Sequence, residues 1–121
     1  MLTIGLPWPN SKLAPNRVRG HWAKTSGIRA ASFEAAFLLA HHAVNNHRGE
    51  WFDPNGTVPV TLTFRPPDKR RRDLDGLLSS MKQAVDGVAT ALAIDDSRFS
   101  PITLARGEPV KGGLVIMEVG K

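Results

Sequence analysis

A run of arginines beside closely spaced aspartates is the part of this sequence most suited to chemistry. Arg70-Arg71-Arg72 leads directly into Asp73-Leu74-Asp75, and a second acidic pair, Asp95-Asp96, follows further along the chain. Crowded carboxylates raise each other's pKa unless a cation lies among them. Carboxylate oxygens suit Mg²⁺ or Mn²⁺, and guanidinium groups suit phosphate. These residue types therefore indicate metal-dependent chemistry on a polyanion, such as a nucleic acid.

Each of these features also has a purely structural explanation. Asp75 could serve simply as a helix cap, Asp95-Asp96 could be a solvated turn, and residues 69–72 could be a solvated basic loop. Lys82 could simply pair with Asp86, four residues later on the same helix. A run of cations without an anion would, however, repel itself, and this favours phosphate contact for the basic run.

Composition limits the classes of protein to consider. The chain has 121 residues and a formal net charge of +5, and its pI is about 10.2. This size predicts a single domain over residues 1–121, and the charge favours a polyanionic partner. Without cysteine, the chain has no disulfide and no thiolate metal site. No signal peptide or membrane-spanning stretch is evident, and we expect a soluble cytoplasmic protein.

Patterns of apolar residues predict four strands and two main helices. The predicted strands are residues 2–6, 57–64, 102–106 and 114–119, and the predicted helices are 25–45 and 74–93. The order β-α-β-α-β-β predicts an α+β (or α/β) layer, in which a small mixed sheet has the two helices packed on it. Pro59 favours an edge position for the start of the second strand. The last two strands are predicted to form a hairpin around residues 107–113.

The two helices differ in the faces that their sequences predict. In the first helix, an amphipathic period places the apolar residues Ile28, Ala31, Ala35, Leu38 and Leu39 toward the core. In the second, a polar stripe is formed by Asp75, Ser79, Lys82 and Asp86. That stripe could face a cleft while the opposite apolar stripe packs on the sheet.

Several motifs resemble those of the RusA family of Holliday junction resolvases, known from bacteria and their phages. Leu6-Pro7-Trp8-Pro9 and the Asn-containing basic loop after it resemble the family's opening, and residues 70–75 resemble its acidic signature. Ile94-Asp95-Asp96 resembles the later acidic pair, and residues 110–113 resemble the closing hairpin. The resemblance runs nearly end to end, and its most specific part is the Asp-Leu-Asp core with the later Asp-Asp.

The resemblance implies a homodimer that binds four-way DNA junctions and cuts two opposed strands with Mg²⁺, or with Mn²⁺ as the alternative. Asp73, Asp75 and Asp96 would be the catalytic carboxylates and metal ligands, and Lys82 a further catalytic residue. The metal would orient and deprotonate a water for attack on the scissile phosphate. The DNA phosphates would be held by Arg17, Arg19, Lys69, Arg70, Arg71 and Arg72. The setting would be the cytoplasm of a bacterium or of a phage-infected host.

Two positions depart from the family pattern. The family's catalytic lysine lies four residues after the second aspartate, where this chain has Ser79, so the role passes to Lys82 one helical turn later. Gly76 stands where the family usually has asparagine. These departures keep a second hypothesis open, a non-catalytic branched-DNA-binding protein that kept the fold. A third is a small RNA- or DNA-binding module without junction preference.

Overall fold

A four-stranded mixed sheet and three α-helices form the part of the chain that the computed structural model describes, residues 1–13, 25–47, 52–53 and 55–120. The strands are β1 (Leu2–Leu6), β2 (Val58–Arg65), β3 (Phe99–Arg106) and β4 (Leu114–Val119), and the helices are α1 (Ser26–Asn45), α2 (Leu74–Ser80) and α3 (Lys82–Ala91). The predicted α+β class is confirmed. The element order also agrees with the prediction, except that the second predicted helix is divided into α2 and α3.

The strands follow the order β1-β4-β2-β3 across the sheet. β4 pairs antiparallel with both β1 and β2, whereas β3 pairs parallel with β2. Parallel neighbours need a crossover connection, and α2 and α3 supply it. The crossover places β3 on one side of β2, and β4 pairs with the other side of β2. Because β3 and β4 are not paired with each other, the predicted hairpin is wrong.

β2 lies inside the sheet, so the prediction of an edge position from Pro59 is also wrong. Its register with β3 shifts here, with Val58 opposite Phe99 but Val60 opposite Ile102. Two residues of β3 thus face Pro59, and a bulge of this kind tolerates a residue that lacks an N–H donor. The Pro59 carbonyl still accepts a hydrogen bond of 2.9 Å from the Gly120 N–H.

The core lies between one face of the sheet and the helices. Alternate residues of β1, β2 and β4 point into it, as strand geometry requires. They are Leu2, Ile4 and Leu6 of β1, Val58, Val60, Leu62 and Phe64 of β2, and Val115, Met117 and Val119 of β4. Helix residues such as Ala36, Met81 and Val88 cover them. The alternation predicted for β2 is confirmed.

α1 has the predicted extent but buries a different face from the one predicted. Leu38 and Leu39 are 59% and 39% exposed, and the fully buried positions are Ala36 and Ala40. The reason is a close crossing with α3, where a Cβ on Gly87 would collide with the backbone carbonyl of Phe33. Such an approach needs small side chains at the contact, so alanine and glycine select the packing face in place of the larger leucines.

The predicted helix over 74–93 is interrupted at Met81, which ends α2 and precedes α3. The Ser80 hydroxyl donates to the Gly76 carbonyl at 3.0 Å, and the Met81 N–H bonds to the Leu78 carbonyl three residues back. Back-bonding by serine bends helices, and a three-residue bond tightens the turn. Met81 is itself buried, which fixes the break in the core.

None of the helices within the described residues combines the length and the hydropathy needed to cross a membrane.

Candidate functional site

The end of α3 determines where the acidic pair Asp95-Asp96 lies. Ala93 has a left-handed backbone (φ 57°), its N–H bonds to the Thr90 carbonyl, and the Ile94 N–H bonds to the Ala89 carbonyl. These two bonds form the Schellman ending of a helix, which reverses the chain direction. Ile94 is then buried against the core. The residues after it are thereby carried back along α3.

A short 3₁₀ turn at Asp96–Arg98 holds this acidic segment in place. Asp95 caps the turn by accepting a 2.9 Å hydrogen bond from the Ser97 N–H, and this bond lowers the pKa of Asp95. Arg98 ties the other end down by donating to the carbonyls of Asp53 and Gly56 at 2.8 Å. Asp95 thus has a structural role, and Asp96 is the member of the pair left for chemistry.

Asp96 lies in a groove of about 270 Å³ between the helices and the edge strand β3. We call it the carboxylate groove; its polar residues are Ser79, Lys82, Asp86 and Asp96, and its apolar residues include Leu78, Val85 and Ile102. Ser79, Lys82 and Asp86 belong to the predicted polar stripe, and these three do share one surface. Asp75 is not part of the lining.

Asp86 is the immediate neighbour of Asp96 in this groove. A side-chain hydrogen bond with Asp86, followed by burial and the repulsion between the two charges, raises the pKa of Asp96. Lys82 pairs with the carboxylate of Asp86, with its Nζ atom 3.7 Å from Asp86 Oδ2. The simple Lys82–Asp86 pair foreseen as the structural alternative is present, and it also brings an ammonium group to the groove that holds Asp96.

Asp73 and Asp75 lie at the beginning of α2. Asp73 occupies the N-cap position with an extended backbone (φ −84°, ψ 130°), but its side chain makes no capping hydrogen bond. Asp75 follows in the first turn, so the suggestion that Asp75 caps the helix is wrong. It precedes Ser79 by four residues, and positions so spaced are neighbours on one helix face. Ser79 therefore lies between Asp75 and the carboxylate groove.

Within the described ranges, no three carboxylate or histidine side chains come together as a group that could hold a metal ion. Of the four carboxylates, Asp86 and Asp96 interact directly, whereas Asp73 and Asp75 are close only along the chain, at the beginning of α2. Mg²⁺ commonly uses only one or two protein carboxylates and keeps several waters. All four donors are hard oxygens, and the mutual repulsion of Asp86 and Asp96 is of the kind a divalent cation relieves. The residues present thus fit such an ion.

Asp68 organises the basic run beside the start of α2. Hydrogen bonds from Arg72 and Arg70 hold the pKa of Asp68 well below its usual range. Arg72 lies 3.0 Å from Asp68, is only 18% exposed, and stacks over the Trp8 ring at 5.5 Å. Arg70 is 80% exposed and 3.2 Å from the same carboxylate. Arg72 is thus committed to the protein's own structure, whereas Arg70 is accessible to a ligand.

Lys69 and Arg71 are the exposed cations of the run for which the described residues supply no ion pair or side-chain hydrogen bond. They are accordingly the best placed of the predicted phosphate ligands. Arg17 and Arg19, also predicted to contact DNA, lie outside the described residues.

Comparison with known proteins shows that the chain is similar in sequence to a bacterial protein. It is 32% identical to an uncharacterized protein of Xylella fastidiosa (strain Temecula1 / ATCC 700964) over 119 residues, which are 98% of this chain and 76% of that protein. The chain belongs to the same family as that protein. No family model matches the chain. The name of this relative states no activity and therefore does not test the resemblance to RusA resolvases, which stays a prediction.

Three residues of the site were given no role in the chemistry by the sequence. Asp86 appeared only in the polar stripe and as a partner for Lys82, and its contact with Asp96 depends on the chain reversal after α3. Asp68 had no assigned role, and its pair with Arg72 lies in a segment that is not helical, where no helical period predicts it. Arg106 is a third such residue, because its Nη1 donates to the Arg72 carbonyl at 2.7 Å from across the sheet.

Proposed function

We propose that this protein is a Mg²⁺-dependent, structure-selective endodeoxyribonuclease that resolves Holliday junctions by paired symmetric cuts. The observation that carries the proposal is the convergence of Asp96, Asp86 and Lys82 in one groove, beside the helix that begins with Asp73 and Asp75. Carboxylates that hold a metal ion and an ammonium group beside them can promote the hydrolysis of a phosphodiester. The exposed cations Lys69 and Arg71 supply electrostatic attraction for the DNA backbone.

Asp96 and its neighbour Asp86 would hold the metal ion. The resemblance adds Asp73 and Asp75, which do not come together with them as one group within the described residues. When bound, Mg²⁺ would supply a water of lowered pKa and neutralise charge on the phosphate oxygens. Lys82 is 69% exposed and only loosely paired at 3.7 Å. Its ammonium group can therefore turn toward a phosphate oxygen and stabilise the negative charge that develops there.

The first experiment is cleavage of an end-labelled mobile four-way junction, with and without Mg²⁺, beside a linear duplex of matched sequence. We expect paired symmetric nicks in the junction alone, and only with the metal. Asp75→Asn should abolish cleavage and leave junction binding intact. Asp95→Asn is the matched control, because Asp95 is engaged in capping and should not affect the rate. Unchanged cleavage by Asp75→Asn would remove Asp75 from the mechanism.

A second candidate, a non-catalytic protein that binds branched DNA, is favoured by one observation. Within the described residues, no three of the site's carboxylates come together as a group that could hold a metal ion. This candidate predicts tight junction binding that needs no metal and yields no cut with any divalent ion. A third candidate, a general nucleic-acid-binding module, predicts equal affinity for linear and four-way DNA.

Ser79→Lys separates an impaired catalyst from a binding protein. Ser79 is exposed and lines the carboxylate groove, so a lysine there has room and reaches the groove directly. If the protein is a nuclease with a displaced lysine, the variant should cleave at least as fast as the wild type and should tolerate Lys82→Ala. If the protein only binds, neither variant should cut.

A further inference from the structure

A second cavity, of about 450 Å³, is lined by the basic run and shares no lining residue with the carboxylate groove. We call it the tryptophan–arginine pocket and define it by Trp8, Pro66, Arg70, Arg71, Arg106 and Pro109. Its size is within the range of about 300–1,000 Å³ typical of small-molecule sites. The proposed contacts to the DNA backbone use Lys69 and Arg71 at its rim, but no role argued above uses the interior of the cavity.

The walls of the pocket are held by contacts on both sides. The Gly107 N–H bonds to the Phe64 carbonyl at 2.8 Å and the Val110 N–H to the Pro66 carbonyl at 2.9 Å, which joins the two loops that form it. Trp8 packs edge-on against Phe64, with ring centroids 6.2 Å apart. A Cβ on Gly113 would lie 2.8 Å from Trp8, so the glycine backbone also supports the indole. The pocket is thus preformed.

Its chemistry is divided between an apolar floor and a cationic rim. The floor is supplied by proline rings and by the indole of Trp8, over which Arg72 lies, with the buried Phe64 beneath. The rim carries five cations, Lys69, Arg70, Arg71, Arg72 and Arg106, against two carboxylates, Asp68 and Glu108, which leaves an excess of three positive charges. A ligand that fits must present a flat apolar surface together with an anion. A nucleotide has both, in its base and its phosphate.

We propose that this pocket takes a single unpaired nucleotide of the DNA substrate, with the base on the apolar floor and the phosphate on the arginine rim. The inference rests on the proposed function for the identity of the substrate. A base inside a continuous duplex reaches such a pocket only after unstacking, which costs a few kcal/mol. At a branch point that cost is smaller, so the pocket would favour branched over linear DNA. Guanidinium planes stack on bases as well as binding phosphates.

The test follows the emission of Trp8 while a nucleotide is added, and it needs neither a junction nor cleavage. The chain has three tryptophans, and the variant Trp22→Phe/Trp51→Phe leaves Trp8 as the single reporter. Deoxyadenosine 5′-monophosphate is titrated in EDTA, with excitation at the red edge of the tryptophan band, where adenine does not absorb. Deoxyribose 5-phosphate and inorganic phosphate are titrated in parallel.

We expect a saturable change in emission with the nucleotide, and affinity about tenfold higher than for deoxyribose 5-phosphate, as burial of a base would give. Arg71→Ala in the same background should weaken nucleotide binding by about tenfold, as expected for one charge-assisted hydrogen bond. Lys111→Ala is the matched control, because Lys111 is exposed and lies outside the pocket lining. It should leave the affinity unchanged.

Equal affinity for deoxyribose 5-phosphate would overturn the role of the base and leave only an anion site. No saturable response to the nucleotide, or equal weakening by Arg71→Ala and Lys111→Ala, would overturn the pocket altogether. Failure of the nuclease proposal gives a different result: nucleotide binding persists while the junction is never cut. If the pocket fails instead, junction cleavage remains.

Discussion

Asp86 and Asp96 are neighbours in the carboxylate groove, and their hydrogen bond, the burial of Asp96 and the repulsion between the two charges together raise the pKa of Asp96 and give a measurable pH signature. The raised pKa of Asp96 means that the folded protein binds this proton more tightly than the unfolded chain does. Stability is therefore lost as the pH rises from the ordinary Asp range through the raised pKa, and it stays lost above. We expect Asp96→Asn to raise Tm at pH 7, and the variant and wild type to converge in acid.

Asp95→Asn is the matched control for that experiment, since the pKa of Asp95 is shifted in the opposite direction. Its lowered pKa means that the ionised form stabilises the fold above the ordinary Asp range, and that this contribution disappears as the pH falls through the folded-state pKa. Thermal unfolding at pH 7 should show no gain in Tm for this variant. Equal gains in both variants would show that the groove's repulsion is not the cause.

The arginines of the basic run should separate into a DNA ligand and a structural residue. Arg71→Ala should leave Tm unchanged and make the plot of log K against log salt for junction binding shallower by about 0.9, the value for one lost phosphate contact. Arg72→Ala should lower Tm, because Arg72 pairs with Asp68 and stacks on Trp8. The checks are thermal unfolding and binding titrations at several salt concentrations. A stable Arg72→Ala variant with a shallower slope would reverse the assignment.

At the scale of elements, the crossing of α1 and α3 at Gly87 limits what the helices tolerate. A Cβ there would collide with the Phe33 carbonyl and lie 3.2 Å from the Phe37 nitrogen, both backbone atoms that cannot swing aside. We expect Gly87→Ala to lower the free energy of unfolding by about 1–3 kcal/mol, the usual cost of overpacking. Urea unfolding measures it.

Gly76→Ala is the control for the crossing, because a Cβ at Gly76 in α2 would meet only the Asp73 Cβ, at 4.0 Å. Replacing a helical glycine with alanine where space is free should stabilise the protein by about 0.5–1 kcal/mol. A loss of stability at Gly76 equal to that at Gly87 would contradict the close crossing as the cause, because helix propensity alone would make both alanine variants more stable.

Local patterns allowed the elements to be predicted, and long-range contacts account for what was missed. Alternation located β2 and its buried face, and the helical extent of α1 followed from its composition. The strand that pairs with β3 could not be predicted. A glycine-containing loop such as the one between β3 and β4 can join two strands that pair with each other, or two strands that lie on either side of a third. Similarly, the contact of Asp86 with Asp96 depends on the left-handed Ala93, a conformation that alanine seldom adopts.

For the candidate site, the sequence identified residues that could take part in chemistry better than it identified which residues contact one another. Lys82 and Asp96 share a groove, although they are far enough apart in the chain that no helical period relates them. By contrast, only Asp73 has an extended backbone, because α2 begins at Leu74 and Asp75 lies in its first turn. From a run of identical arginines, the sequence could not show that Arg72 is the half-buried one, because its burial depends on contacts with Trp8 and Asp68.

At the scale of the whole molecule, the proposed paired cuts require two sites acting on one junction, which a two-fold dimer would provide. A supercoiled plasmid with an extruded cruciform reports this directly. Two cuts in one encounter give linear DNA, whereas a single cut lets the cruciform collapse and leaves an open circle. Wild-type protein with Mg²⁺ should therefore give mainly linear product.

Co-expression of differently tagged wild-type and Asp75→Asn chains, followed by purification on both tags, isolates a dimer with one working site. We expect this mixed dimer to bind the cruciform normally but to convert it mainly to open circles, because its second subunit cannot cut before the cruciform collapses. The ratio of linear to open-circle product is read from an agarose gel. A monomeric nuclease would give no doubly tagged species, and adding Asp75→Asn chains would slow the reaction by competition without changing that ratio, an outcome that would contradict the dimer.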